Sequence, residues 1–472
     1  MLSEFIEKKI YKYFDHEPTA DQSELIGALG RFAADREGCG ILIINGYAGT
    51  GKTTVISAFV NMLKEFGMQH FMLAPTGRAA KVMSYMSGDE ALTIHKKIYR
   101  QKSAVQDVFV LNFNKSQNAF FIIDEASMIS TQSYEQNIFG SGNLLDDLID
   151  YIAAGNGGKV IFIGDKAQLP PVGSELSPAL NPGHMSMYGP VEYIEISQVV
   201  RQNEKSGILH NATVCRRLIE ERTPGIPGFK LDFPDFHNIN GSEFQEKLED
   251  MYGKYGQSNC IVITRSNKQA NRINTFIRNR IICQEEEIDS SDMVMVVKNN
   301  YHYTLNPDRE RTDGDFIANG DIAVVRRIRK YQEMYGFRFV DATLRFPDND
   351  DAEIECKMML DTLSTDTPSL SSENNKKLFY AVEEDYSHIK TKAARYKKIK
   401  EDPYFNALQI KFAYAVTCHK AQGGQWDAVF VDRMLWEGEE MGTDLQRWLY
   451  TAITRAKKQL FLINFTDEFF TK

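Results

Sequence analysis

The stretch ILIINGYAGTGKTT, residues 41–54, joins four apolar residues to a glycine-rich turn and then to residues that open a helix. Within it GYAGTGKT, Gly46 to Thr53, fits G-x-x-x-x-G-K-[ST] between an expected strand (41–44) and an expected helix (53–66). In that context the spacing makes a phosphate-binding loop. The glycines let backbone N–H groups turn inward on phosphate oxygens, and the helix N-terminus adds the positive end of its dipole. Lys52 is expected at the β- and γ-phosphates and Thr53 on Mg²⁺. ATP and Mg²⁺ are therefore the expected nucleotide and ion, with Gly46, Ala48, Gly49, Thr50, Gly51 and Thr54 completing the loop's binding set.

Outward from the loop, a helix is expected over 19–34, with Thr19 as cap and Leu25, Ile26, Leu29 and Phe32 at helical spacing. Short apolar runs at 71–74, 120–123, 160–163 and 193–196 read as buried parallel strands separated by helices, an α/β doubly wound pattern. The pattern returns with strands at 260–264, 429–432 and 460–464 and helices at 268–280 and 444–455, so two α/β halves are expected to face each other. Between them FIANGDIAVVRRIR, 316–329, alternates around an Asn-Gly-Asp turn and favours β structure. Residues 362–376 read as loop, 389–400 are strongly basic, and a hairpin is expected within 99–117.

The 472 residues are 43% apolar and 25% charged, ordinary globular composition, with no apolar run near the ~20 residues of a membrane span. The polar N-terminus lacks a signal-peptide core, so a soluble, cytoplasmic protein with no membrane partner is expected. Six scattered Cys form no CxxC pair, so neither a zinc ribbon nor a disulfide framework is suggested. A net charge of −9 argues weakly against nucleic acid, but a groove needs positive charge only locally.

Further chemistry gathers at expected strand ends. FFIIDEAS, 120–127, presents Asp124 to hold Mg²⁺ and Glu125 to polarise the attacking water. IFIGDKAQLPPVG, 161–173, presents Gln168 as a sensor of the γ-phosphate and Asp165 as a link to the neighbouring groove. Gln22 carries an amide that suits the adenine edge, although a surface Gln is the blander reading. Arg201 and Arg455 are candidates to stabilise the transferring phosphoryl group if the halves face each other; Arg265 is a third arginine in such a stretch. Cys418 and His419 in TCHKAQGGQWD have no second Cys/His cluster nearby to complete a metal site.

Taken in order, TADQ, GYAGTGKTT, LAPTGRAAK, LTIHKKIY, DEASM, GDKAQLPPVG, VVRQ, ITRSN, NGD, TCHKAQGGQWD and YTAITRAK resemble the motif series of superfamily 1, subclass B DNA helicases, RecD-like and Dda-type, from Gln22 to Arg455. The resemblance implies two RecA-like P-loop domains with parallel sheets, plus a hairpin insertion and an SH3-like β insertion. It implies boundaries of 1–196 for the first domain with its pin at 99–117, 197–325 and 406–472 for the second, and 326–405 for the SH3-like unit. Single-stranded and forked duplex DNA would cross both domains at Pro75, Thr76, Thr93, His95, Thr417 and His419, with Gly423 on the nucleotide side of the same motif. Phe109, with Val108 and Val110, would form the apolar pin tip, against the alternative that it plugs the hairpin's own base. Phe412, Tyr414 and Trp426 read as core rather than base-stacking residues. The basic run 390–400 would meet DNA or the pin, or form a solvated face.

The activity so implied is ATP-dependent, 5′-to-3′ translocation on single-stranded DNA with strand separation, by a monomer whose further partners would be replication or recombination proteins. An RNA helicase, a nucleotide-switched binder that does not unwind, and a subunit of a recombination nuclease remain alternatives.

Overall fold

In a computed structural model, residues 2–35, 40–103, 106–131, 139–200, 206–305, 316–349, 351–433 and 441–471 are described. The strand Ile41–Gly46 sits inside a six-stranded, all-parallel sheet. The sheet runs Ala91–Thr93, His70–Ala74, Phe120–Ile123, Lys159–Gly164, Ile41–Gly46, Val191–Ile196. Alternate residues face opposite layers. Leu42 and Ile44 pack with helices Ala20–Ala34 and Lys52–Glu65, whereas Ile41 and Ile43 pack on the side of helix Leu144–Ala153. Helices on both faces explain why these strands are apolar throughout.

The second half is a five-stranded parallel sheet ordered Ala415–Thr417, Cys260–Thr264, Trp426–Asp432, Ala456–Ile463, Phe236–Ile239. Its core extends across the boundary between the halves to include Tyr47, Ala167 and Leu169 of the first. Two parallel α/β halves are thus present, as expected.

Between them is a closed barrel of Met293–Val296, Ile322–Met334, Phe337–Phe346, Ala352–Met359 and Leu408–Phe412. It starts well before residue 326 and ends beyond 405, so the β unit is larger than expected. The short strand Met293–Val296 pairs with Ile322–Met334 on one side and with Leu408–Phe412 on the other, contacts that only the folded chain supplies. The unit also holds two helices, Ser372–Asp385 and Lys392–Glu401, the first beginning inside the segment expected as loop. The second, which bears the basic run, packs through Ile399 against the barrel, and its Arg395 meets Glu383 at 3.3 Å. No helix among the described residues is long and apolar enough to cross a membrane.

Candidate functional site

The phosphate loop leaves its strand through a backbone that side chains would obstruct. Gly49 and Gly51 both have φ of +77°, a left-handed conformation costly for other residues. A Cβ on Gly51 would stand 2.4 Å from Gln22 Nε2. Gln22 is buried, donates from Nε2 to the Thr50 carbonyl at 2.9 Å and accepts from the Thr19 N–H at 2.9 Å. Its amide oxygen therefore completes the Thr19 capping box while its nitrogen braces the loop. Both ends of the amide read from the sequence as suited to the adenine edge are thus engaged within the chain. Lys52 Nζ lies in the loop, donating to the carbonyls of Gly46 and, at 2.9 Å, Tyr47. Thr50 is buried and donates to the Tyr47 carbonyl, Thr53 is half-buried, and Thr54 points to solvent.

The strand Phe120–Ile123 delivers Asp124 and Glu125 beside this loop. Asp124 Oδ1 accepts from the Glu125 N–H at 2.8 Å, and Glu125 holds a φ of +51°, strained for a residue with a side chain. Burial pushes both carboxyls upward. Thr53 and Asp124 line one small cavity. A hydroxyl and a buried carboxylate short of counter-charge are oxygen donors of the kind Mg²⁺ takes, so these residues fit the ion. Among the described residues no cluster of three or more His, Cys, Asp or Glu could hold a metal ion.

Arg455 comes from the other half. It is 3% exposed, and its guanidinium donates to the carbonyls of Thr451 (3.1 Å) and Gly424 (3.3 Å) and to Thr454 Oγ1. Its Nη1 stands 3.9 Å from Glu125 Oε1. The structure therefore brings Arg455 to the carboxylate pair across the boundary between the halves. Gln168 is buried on the turn after strand Lys159–Gly164, and its Oε1 has no hydrogen-bond partner. Arg201 lies outside the described residues.

On the far side of the cleft, Pro75, Thr76, Thr93 and His95 line one groove of about 320 Å³. Thr76 also lines an adjoining groove of about 350 Å³ with His419. Thr76 and Thr93 each accept a helix-capping hydrogen bond, from Ala79 N and Lys96 N, so their hydroxyl protons remain free for an anion at a helix start. The His95 ring lies against Phe139 and Tyr99, and burial pulls it down to about 4, so it is a neutral imidazole at neutral pH. Thr417 ends its strand half-buried, one residue before the helix bearing the exposed His419.

Two expectations need correction. Phe109 is not a tip: it is buried, paired opposite Gln101 in the hairpin Tyr99–Ser103/Gln106–Leu111, and its ring stacks on Phe139 at 4.8 Å and meets Tyr301 at 4.6 Å. The aromatic side chain prefers this apolar cluster to water. The side chain of Val108 lies outside the described residues. Gly423, assigned to the nucleotide, abuts the first half's helix Gly77–Ser87 instead; its φ is +73°, and a Cβ there would stand 3.0 Å from Ala79 Cβ and 3.1 Å from Thr76 Oγ1.

Sequence reading missed Arg78, whose guanidinium stacks on buried Trp426 at 3.9 Å from the ring centroid, and Tyr450, whose hydroxyl reaches Ala48 and Asp165. Both stood inside recognised stretches, LAPTGRAAK and YTAITRAK, but nothing local to either residue names its partner.

Residues 20–217 match the AAA domain model and residues 412–463 the UvrD-like helicase C-terminal domain model. The ATP-dependent RecD2 DNA helicase of Deinococcus radiodurans is 28% identical over 172 residues, 36% of this chain and 21% of that protein. The ATP-dependent DNA helicase Dda of Enterobacteria phage T4 is 26% identical over 272 residues, 54% of this chain and 55% of that one. An uncharacterized protein, MJ1519 of Methanocaldococcus jannaschii, is 24% identical over 452 residues; the match takes in 89% of this chain, which spans only 36% of the archaeal protein's length. The chain is thus similar to an AAA domain over its first half, to a UvrD-like helicase C-terminal domain near its end, and to DNA helicases of the RecD2 and Dda kinds over part of its length.

Proposed function

We propose that this chain is an ATP-dependent DNA helicase that moves 5′ to 3′ on single-stranded DNA and separates duplex strands. The observation that carries the reading is Arg455 Nη1, 3.9 Å from Glu125, reaching from the C-terminal half to a carboxylate that flanks the phosphate loop. In this reading Lys52 leaves its two carbonyl partners for the β- and γ-phosphates, and Thr53 and Asp124 hold Mg²⁺. The ion, when bound, neutralises charge on the phosphate oxygens. Glu125 polarises the attacking water, Gln168 turns its unpartnered amide oxygen and N–H groups to that water and the γ-phosphate, and Arg455, with Arg201, stabilises the transferring group. Loss of the γ-phosphate removes contacts that draw the halves together, and the two grips on the DNA alternate as the cleft opens and closes.

The names of the RecD2 and Dda relatives support DNA over RNA and unwinding over mere binding. The polarity rests on the resemblance of the motif series to superfamily 1, subclass B helicases. Threonine hydroxyls and an uncharged histidine suit backbone phosphates without reading bases, as a translocating motor requires.

Unwinding of 5′-tailed against 3′-tailed DNA duplexes with ATP tests the reading, with RNA-tailed duplexes in parallel. Strand separation confined to the 5′-tailed DNA is expected. Separation from a 3′ tail alone would overturn the polarity, and DNA-stimulated hydrolysis with no separation on either substrate would point to the nucleotide-switched binder.

A further inference from the structure

Gln168 sits on a turn held at both ends by the opposite half of the molecule. At one end, Tyr450 of helix Thr443–Ile453 donates its hydroxyl proton to Asp165 Oδ2 at 2.6 Å. The Tyr450 hydroxyl oxygen in turn accepts from the N–H of Ala48, inside the phosphate loop, at 3.0 Å. At the other end, Thr451 Oγ1 accepts from the Leu169 N–H at 2.8 Å, and Gln422 Nε2 donates to the Leu169 carbonyl at 2.7 Å. Between them the buried Gln168 Oε1 is left without a partner. Asp165 and Tyr450 are 1% exposed, so no water competes for the bridge. Burial pushes the Tyr450 hydroxyl far up, which keeps its proton in place for Asp165. Arg455 follows two residues beyond the same helix, so one rigid element presents both the guanidinium and the clamp.

From this geometry we infer that Tyr450 is a positioning residue: with Thr451 it fixes the 165–169 turn and the phosphate loop together, so that Gln168 is aimed at the γ-phosphate only while the C-terminal half is seated. A core tyrosine that merely fills space would not need its hydroxyl. Here one oxygen ties two segments of the first half through an atom of the second, and removing it leaves both the Asp165 carboxylate and the Ala48 N–H without that partner. This inference rests on the proposed ATP-driven motor for its functional consequence, but the clamp itself is a property of the chain without nucleotide.

Two measurements on the full-length chain test it. In the absence of ATP and DNA, Tyr450→Phe should raise amide hydrogen exchange at Ala48 and in 167–169 severalfold, leaving the inner strand Ile41–Gly46 protected. Unchanged exchange overturns the clamp whether or not the protein is a helicase. In DNA-stimulated ATP hydrolysis, Tyr450→Phe should lower kcat about tenfold and leave KM for ATP within about twofold. Added to Gln168→Ala it should cost nothing further, because both act through one contact. Equal losses in both backgrounds, or a raised KM with kcat intact, overturn the positioning role. If Tyr450→Phe fails to fold, Thr451→Val, which removes only the Leu169 bond, should raise exchange in 167–169 but not at Ala48 and show the same kinetic pattern; unchanged exchange in 167–169 overturns the clamp. Wild-type protein with no DNA-stimulated hydrolysis would count against the motor, and the exchange comparison would still decide the clamp.

Discussion

Glu125 shows what a single residue contributes. Its left-handed backbone costs of order 1–3 kcal/mol unless the surroundings enforce it. Here the strand before it and the N–H donated to Asp124 do so, turning the carboxylate towards Arg455. Replacing it with Gln keeps the size but removes the carboxylate that the proposed function uses to polarise water. Glu125→Gln should bind a fluorescent ATP analogue normally and lose ~10²–10⁴ in turnover; loss of binding instead would remove Glu125 from that role. Asp321 illustrates titration at the same scale. It is buried where the barrel meets the first half: a Cβ on Gly77 would lie 2.8 Å from its Oδ1, the Ala318 N–H donates to it, Asp348 repels it and Lys96 attracts it. Burial pushes its carboxyl up to about 7. A raised carboxyl means that the folded chain holds the proton more tightly than the unfolded one. Its contribution to stability is therefore present at acid pH and is lost as pH rises from about 4 through about 7. The midpoint of Asp321→Asn should exceed the wild type's by clearly more at pH 8 than at pH 5; the same difference at both would refute the assignment.

At the scale of elements, the helix Ala20–Ala34 is more than cover for the sheet. Its capping box reads locally as Thr19-x-x-Gln22, but the same Gln22 reaches the phosphate loop, so the start of the helix and the loop are set as one piece. The hairpin shows the opposite relation. Alternation predicts two strands within 99–117 and they are present, yet alternation does not say which end of Phe109's strand meets solvent. Packing against Phe139 and Tyr301 settles it and joins the hairpin to residues beside the barrel. Phe109→Ala should therefore destabilise by ~3–5 kcal/mol, as truncation of a buried Phe does. Denaturant unfolding checks this; an unchanged midpoint would put the ring back in solvent.

For the whole molecule, the two halves are joined by specific polar contacts, and these gather around the glycine-rich loop and the strand ends beside it. Arg455 reaches Glu125, Tyr450 reaches Ala48 and Asp165, and Gln422 and Thr451 hold Leu169. The Arg78–Trp426 stack joins the same halves beside the groove lined by Thr76 and His419. A guanidinium can satisfy two carbonyls and a hydroxyl while still facing a carboxylate; a lysine cannot. Arg455→Lys should accordingly lose ~10³ or more in hydrolysis while retaining ATP binding. Near-normal turnover would mean that the charge alone suffices and that the fork geometry is incidental.

The strand-loop-helix around Lys52, the carboxylates after strand Phe120–Ile123 and the doubling of the α/β pattern were legible in the chain itself, because apolar runs of strand length and the glycine-rich turn act over a few residues. The order of the motifs also carried the resemblance to superfamily 1, subclass B helicases before any fold was seen. What the tertiary structure alone decided involves residues far apart in sequence. The barrel gains its outer strands from 293 and 412, Phe109 turns inward, Gly423 meets Thr76, and Tyr450 crosses to Ala48. Each is a contact whose two sides lie in different elements, and periodicity and capping, which reach only a turn or a strand, hold no information about the partner.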